Sequence, residues 1–229
     1  TATEGFWLLD ASARLVDANP AAARMLGYTL EELKSLRVSD IDATESVAET
    51  EAHLARLQME GYGRFETRHR RKDGTLIDVE VSASYLPLNQ GRVFVFTRDI
   101  TERKQAEQER ERLISAIEQS GEIILITDQD ATIQYVNPAF ERLSGFSRQE
   151  AIGQNPRMLK SGEQDDAFYR DMWATLTSGE SWQGRMVNKR KDGTHYIEEA
   201  VISPVRDVDG RVINYVAVKR EITEKIILE

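Results

Sequence analysis

The hydrophobic and polar positions of this chain follow one order of patterns twice. In the first half, the apolar run at residues 5–9 predicts a strand, and the apolar–polar alternation of residues 76–86 predicts a longer one. Between them, apolar residues at helical spacing over residues 44–59 predict a helix that Gly61 ends. The order strand, strand, helices, strand, strand, strand predicts an α+β unit with an antiparallel sheet and helices on one face.

Three short motifs recur in the same order and mark the repeat. They are Asn-Pro at residues 19–20 and 137–138, Lys-Asp-Gly-Thr at 72–75 and 191–194, and Ile-Thr-Glu at 100–102 and 222–224. A period above one hundred residues is too long for a solenoid, whose units have about 20–50 residues. The chain is therefore predicted to hold two domains.

The predicted boundaries follow from these motifs. We expect a first domain at residues 1–100, a helical linker at 101–120, a second domain at 121–223 and the start of an output helix at 224–229.

Local signals support the elements around these motifs. Asn19 can cap a helix that has Pro20 at its first position, and Gly27 can end that helix in a left-handed conformation. The Asp-Gly pair at residues 73–74 predicts a hairpin with a type I′ turn, in which both central residues have positive φ.

Composition narrows the function classes. The 229 residues carry 30 basic and 39 acidic side chains, and the net charge of −9 argues against a nucleic-acid partner. With no cysteine, the chain has neither disulfides nor thiol chemistry. No apolar run reaches the roughly 20 residues of a membrane span, so we expect no direct membrane contact and a cytoplasmic location, although the full-length protein could carry a membrane anchor.

The linker allows two interpretations. Ala106, Leu113 and Ile117 follow the spacing of a coiled-coil seam, which Arg110 interrupts. It is either a solvated connecting helix or a parallel dimer helix that transmits a signal. We expect a homodimer.

Both halves resemble PAS domains, the sensory modules of bacterial signalling proteins, at the three recurring motifs. The resemblance implies a five-stranded antiparallel sheet of order 2-1-5-4-3, with helices that enclose a pocket. It implies no particular ligand, since members of the family bind haem, flavins, organic acids or nothing.

The second copy is similar to the flavin-binding subgroup over residues 153–162 and 182–193. In blue-light members, the position of Pro156 holds the cysteine that attacks the flavin, so adduct chemistry is excluded here. The pattern is closer to the redox-sensing PAS domains of nitrogen-fixation and methane-oxidation regulators. The resemblance therefore implies FAD in the second domain.

The candidate cofactor-binding residues are amides, an arginine and aromatic residues: Asn155, Arg157, Phe168, Trp173, Trp182 and Asn188. An amide offers a donor and an acceptor to the pyrimidine edge of a flavin. The guanidinium fork suits the phosphates of FAD, and the aromatic rings could stack on or wall the ring slot.

Other interpretations of these residues remain open. Asn155 before Pro156 is also an ordinary turn, and Trp173 lies at the helical spacing of a core face. Asn188 could simply bond to a neighbouring strand. Lys160 and Glu198 replace a glutamine and an asparagine of the blue-light relatives, which weakens the match.

The first copy lacks the 153–162 stretch, so we expect no cofactor there but either a small-metabolite pocket or a packed core. His53 lies on the long helix where haem-binding relatives place an iron ligand, but a lone helical histidine is more often a surface residue. His69 and His195 lie near hairpins, and no spacing predicts a metal site.

The sequence carries no catalytic motif, so we expect a sensory fragment rather than an enzyme. The resemblance implies an output domain beyond this chain, either a histidine kinase or a cyclic-dinucleotide enzyme. The alternatives are a ligand-free dimerisation module, a metabolite sensor through the first domain and a flavin enzyme.

Overall fold

The computed structural model describes residues 4–87 and 91–223 and divides the chain into two compact units. We call residues 1–110 domain 1 and residues 111–229 domain 2. The predicted output helix at 224–229 lies outside the described residues.

The described residues of domain 1 form five strands and four short or medium helices, and a fifth helix follows. The elements are β1 (Gly5–Leu9), β2 (Leu15–Ala18), α1 (Pro20–Leu26), α2 (Leu30–Leu33), α3 (Val38–Ile41), α4 (Val47–Glu60), β3 (Tyr62–Arg70), β4 (Leu76–Leu86), β5 (Arg92–Asp99) and α5 (Thr101–Glu118).

Domain 2 repeats the order, with a 3-10 turn at Pro156–Leu159 in place of α3. The elements are β6 (Ile123–Thr127), β7 (Ile133–Val136), α6 (Pro138–Ser144), α7 (Arg148–Ala151), α8 (Asp166–Ser178), β8 (Trp182–Lys189), β9 (His195–Arg206) and β10 (Val212–Glu221).

Each domain has one antiparallel sheet of five strands, in the orders β2-β1-β5-β4-β3 and β7-β6-β10-β9-β8. The predicted α+β class and strand order are confirmed. The registers also match: Trp7 pairs with Val95 as Leu125 pairs with Ala217. Inward positions of the two sheets can therefore be compared one by one.

The repeated Asn-Pro motif builds the same junction in both domains. The Asn19 side chain accepts hydrogen bonds from the N–H groups of Phe6 and Ala22, at 3.0 and 2.8 Å. It thereby caps α1 and ties it to β1, and Gly27 ends the helix at φ +75°. Asn137 does the same for α6, where it is fully buried.

The Lys-Asp-Gly-Thr hairpin differs from the prediction. Gly74 has φ +86°, but Asp73 is not among the residues with positive φ. The Gly74 N–H donates to the Arg71 carbonyl, and the Asp73 carboxylate accepts from the N–H and hydroxyl of Thr75. The predicted type I′ turn is wrong: the loop is longer, and only its glycine needs the left-handed region.

The linker forms the continuous helix α5, and each of its ends is fixed to the domain beside it. Lys104 lies 2.8 Å from Glu66 of β3, and Glu118 accepts from Arg148 at 2.6 Å. None of the described residues of α5 is buried, and Leu113 and Ile114 are exposed. Among the residues that the structure describes, no helix has the length and apolar character that a membrane crossing requires.

Candidate cofactor cavity in domain 2

A cavity of about 480 Å³ lies between the inner face of the domain 2 sheet and helix α8. Its apolar walls come from strands β6, β8, β9 and β10 and from α8: Leu125, Met172, Trp173, Leu176, Met186, Ile202, Tyr215 and Ala217. This volume lies within the range of about 300–1,000 Å³ that small-molecule and cofactor sites occupy.

The cavity divides the apolar core of domain 2. One cluster surrounds Ile123 and Phe140, and a second surrounds Met172 and Leu176. Domain 1 has a single cluster that contains residues of all its layers. Protein cores normally pack to the density of an organic crystal, so an opening of about 480 Å³ between the two clusters is large enough for a small molecule.

Three buried polar side chains stand at the sheet wall of the cavity. Glu198 Oε1 accepts from Asn188 Nδ2 at 2.7 Å and from Lys219 Nζ at 2.6 Å. Asn188 and Lys219 line the cavity, while Glu198 lies behind them with no exposed surface. Glu198 therefore fixes the position of both lining groups.

The buried Glu198–Lys219 pair contributes little to the stability of domain 2. Burying an ion pair gives little net stability, because desolvation offsets the attraction between the charges. No described residue gives Glu198 Oε2 a hydrogen-bond partner. Burial, with the nearby Glu198 carboxylate, raises the pKa of Tyr196 and of Tyr169, so both phenols stay protonated. At this wall, Lys219 places its ammonium beside the Asn188 amide.

The mouth of the cavity is formed by the segment that the sequence singled out. Asn155 caps the 3-10 turn by accepting from the Arg157 N–H, so it is both a turn residue and a lining residue. A β-bridge from Lys160 to Asn188 holds this segment against β8. Lys160 lies over the Tyr169 ring, 3.6 Å from its centroid, and the Arg157 side chain is exposed.

The aromatic candidates divide into two groups. Trp173 lines the cavity, with its ring edge against Tyr215 at a centroid distance of 5.5 Å. Phe168 and Trp182 are not among the lining residues; they pack against each other at 5.5 Å, beside α8 and β8. Their helical and strand spacing places them in the packing around α8 rather than in the walls of this cavity.

Lys219 was not predicted as a site residue, and Glu198 was predicted only as a difference from the blue-light relatives. A signal was present: Tyr215, Ala217 and Lys219 alternate on the inward face of β10. A lysine at an inward position of a central strand needs a buried partner. Glu198 stands at an inward position of β9, the neighbouring strand.

The residues present fit a flavin. Its ring system needs an apolar slot, and the pyrimidine edge needs donors and acceptors. Asn188 and the ammonium of Lys219, which has three N–H donors, supply polar groups at one wall of an apolar cavity. Arg157 and Lys160 at the mouth suit the phosphates of the cofactor.

The corresponding cavity of domain 1 is much smaller, about 60 Å³. His53 lines it and is not the surface residue that the sequence favoured. Its Nδ1 lies 2.9 Å from Glu45, and its ring packs on Phe65 at 4.3 Å. Within residues 4–87 and 91–223, no group of three or more His, Cys, Asp or Glu side chains could hold a metal ion.

Comparisons with known proteins agree with the duplicated fold. A family model described as "PAS fold" matches residues 110–222, and one described as "PAS domain" matches residues 3–102. The chain is similar to the nitrogen fixation regulatory protein of Klebsiella oxytoca, at 38% identity over 113 residues, which are 49% of this chain and 23% of that protein.

Two further proteins are similar to part of the chain. The aerotaxis receptor of Escherichia coli K12 is 35% identical over 100 residues, 43% of this chain and 19% of the receptor. A light-oxygen-voltage domain solved with a flavin analogue has a TM-score of 0.46 and 28% identity over 50% of this chain and 87% of that one. The chain spans less than a quarter of the length of the Klebsiella regulator and of the aerotaxis receptor.

Proposed function

The chain belongs to the PAS family, with two PAS domains in tandem, and from that premise we propose that it is the sensory part of a signalling protein whose second domain binds a flavin. The observation that carries the proposal is the 480 Å³ cavity with the Glu198–Lys219 pair at its wall. Of the flavins we propose FAD, because Arg157 and Lys160 stand at the mouth, where its two phosphates would need positive charge.

Within such a site, the protein's residues tune a reaction that belongs to the cofactor. A bound flavin supplies the redox chemistry. Lys219 lies in the cavity wall with 5% of its surface exposed, so its positive charge is weakly screened by water. It favours the form of the ligand that carries more negative charge, and Glu198 keeps the ammonium in place.

Strand β10 connects Lys219 to hydrogen bonds at the C-terminal end of domain 2. Two residues beyond Lys219, Glu221 accepts from Arg190 at 2.6 Å and from the Thr223 hydroxyl at 2.8 Å. Thr223 in turn accepts from the Ile197 N–H. A shift of Lys219 along β10 would change the hydrogen bonds at the end of the domain.

The wider role is proposed on the same basis. The relatives named above are a regulatory protein and a receptor. We propose that the output belongs to another domain, for example a histidine kinase, and that this fragment is not itself an enzyme. We also propose a homodimer, for which Leu113 and Ile114 on α5 provide exposed apolar contacts.

The experiment compares Lys219→Met with Lys189→Met in purified chains reconstituted with FAD. The wild type and the exposed-lysine control should show the visible absorption bands of bound flavin. In Lys219→Met the midpoint potential should fall by roughly 30 mV or more, equivalent to about 1.4 kcal/mol for a two-electron couple. A folded wild type that takes up neither FAD nor FMN, or an unchanged potential in Lys219→Met, would overturn the proposal.

A further inference from the structure

The small cavity of domain 1 has polar groups of its own. It lies between α4 and the inner face of the sheet, with Trp7 of β1 and His69 of β3 in its lining. Asp42, Glu45 and His53 line it as well. Its volume of about 60 Å³ equals the liquid volume of about two water molecules.

Two residues of this lining each have a buried nitrogen atom without a hydrogen-bond partner among the described residues. The two atoms are Trp7 Nε1 and His69 Nδ1, on side chains that are each only 3% exposed. The two rings lie together, with centroids 5.4 Å apart. An unsatisfied buried polar group costs about 1–3 kcal/mol, so these two nitrogens need hydrogen-bond partners from a molecule that enters the cavity.

The chemistry of each atom can be assigned. Trp7 Nε1 is always a donor. Burial lowers the pKa of His69 to about 4, so its ring is neutral near pH 7. Its Nε2 lies 4.0 Å from Asp42 Oδ2, and that carboxylate favours the tautomer with the proton on Nε2. His69 Nδ1 is then an acceptor.

The carboxylates at the cavity exclude an anion. Burial alone would raise the pKa of Asp42, but the Thr44 and Glu45 N–H groups and the hydroxyls of Thr44 and Thr67 hold it below its usual value. Asp42 is therefore charged at pH 7. A cation alone would leave the Trp7 N–H unpaired.

From these contacts we propose that domain 1 binds a small uncharged molecule that carries a hydrogen-bond acceptor and a donor on neighbouring atoms, the chemistry of a primary amide. The acceptor pairs with Trp7 Nε1 and the donor with His69 Nδ1. Domain 2 lacks this pair at the equivalent positions, where Leu125 is apolar and Asn188 bonds to Glu198. The site is therefore distinct from the flavin cavity and does not depend on it.

The test uses formamide as the probe and formate, of similar size, as the matched control. The chain has three tryptophans, and Trp173→Phe and Trp182→Phe identify their indole N–H signals in a proton–nitrogen NMR spectrum. Formamide should move the Trp7 signal saturably, with half-saturation in the millimolar range expected of so small a ligand. Formate should bind at least roughly tenfold more weakly, because it lacks the donor and is charged.

A Trp7→Phe variant, where it folds, should weaken the formamide response of the His69 ring signals by roughly tenfold. The wild-type titration is decisive without this variant. The proposal fails if the Trp7 signal does not move, if it moves linearly together with those of Trp173 and Trp182, or if formate acts as strongly as formamide.

Discussion

Domain 1 and domain 2 share one backbone frame but differ in what lies at its centre. Where domain 1 has Trp7 and Val95 paired across β1 and β5, domain 2 has the smaller Leu125 and Ala217 across β6 and β10. The cavity volume is about 60 Å³ in domain 1 and about 480 Å³ in domain 2. Smaller side chains at a few inward positions, together with the exchange of α3 for a 3-10 turn, accompany the opening of this cavity.

The two domains also differ in the buried charges on their sheets. Val79 and Thr97 of domain 1 occupy the register positions of Glu198 and Lys219 in domain 2. Domain 1 therefore has no charged side chain at these two positions, whereas domain 2 holds a buried ion pair whose cation lines the cavity. Helix caps and turns therefore specify the shared backbone fold, while the inward side chains of the sheet determine what the site contains.

The largest effect should come from breaking the buried pair. Glu198→Val, which places the domain 1 residue in domain 2, leaves Lys219 buried without a counter-charge and should cost about 3–5 kcal/mol. The double variant with Lys219→Thr should recover most of that loss. Hydrogen exchange of the β9 and β10 amides measures it, with β4 amides of domain 1 as the internal reference. A single variant within about 1 kcal/mol of wild type would contradict the account.

The second largest effect should be a loss of stability of domain 1 at acid pH. The pKa of His69 is about 4 in the fold and near its ordinary 6.5 when unfolded. The unfolded chain therefore takes the proton first, and domain 1 should lose up to about 3 kcal/mol as the pH falls from 6.5 to 4. His69→Asn, which introduces the domain 2 residue, should remove most of this slope in the exchange of β4 amides.

The control for this experiment is His195→Asn, since the His195 side chain is 43% exposed. It should leave the acid response of the β4 amides as it is in the wild type. A slope that survives His69→Asn would show that another group controls the acid sensitivity of domain 1.

A smaller effect should follow from making the domain 2 cavity more like that of domain 1. Ala217→Val adds two methyl groups to a lining position that is 4% exposed. Without ligand it should stabilise domain 2 by about 1 kcal/mol, because it fills empty space. It should also weaken flavin uptake, measured by titration. Val95→Ala is the converse variant and should destabilise domain 1. Equal flavin binding by Ala217→Val and the wild type would contradict the assignment of the flavin to this cavity.

The smallest effect concerns the ends of the sheets. Arg190 bonds to Glu221 and to the Leu143 carbonyl, while Arg71 of domain 1 bonds to Asp99 at 3.2 Å. Arg190→Gln should therefore cost up to about 1 kcal/mol and Arg71→Gln less, since exposed pairs contribute little. Thermal unfolding of the two variants checks this order, and a larger loss in Arg71→Gln would reverse it.

The sequence predicted the frame well, because its signals are local. Asn19, Gly27 and their copies fix helix ends through their own backbone and side-chain bonds, and alternation fixes the strands. The type I′ turn was wrong because the side chain of Asp73 bonds to Thr75, an interaction that the dipeptide rule ignores.

The site was predicted only in part. Asn155, Arg157, Trp173 and Asn188 all line the cavity. The link between Glu198 and Lys219 could not be predicted, because it joins residues 21 positions apart on neighbouring strands and depends on their register. The unpaired nitrogens of Trp7 and His69 depend on the pairing of distant strands in the same way.

The number of flavin molecules bound per chain decides whether the cofactor site is confined to domain 2. The full chain is saturated with FAD, freed of excess cofactor and denatured, and the released flavin is counted against the protein. We expect one flavin per chain in the wild type. The flavin-to-protein ratio should be lower in Ala217→Val and unchanged in Val95→Ala. No flavin on a folded chain, or two per chain, would contradict a cofactor site confined to domain 2.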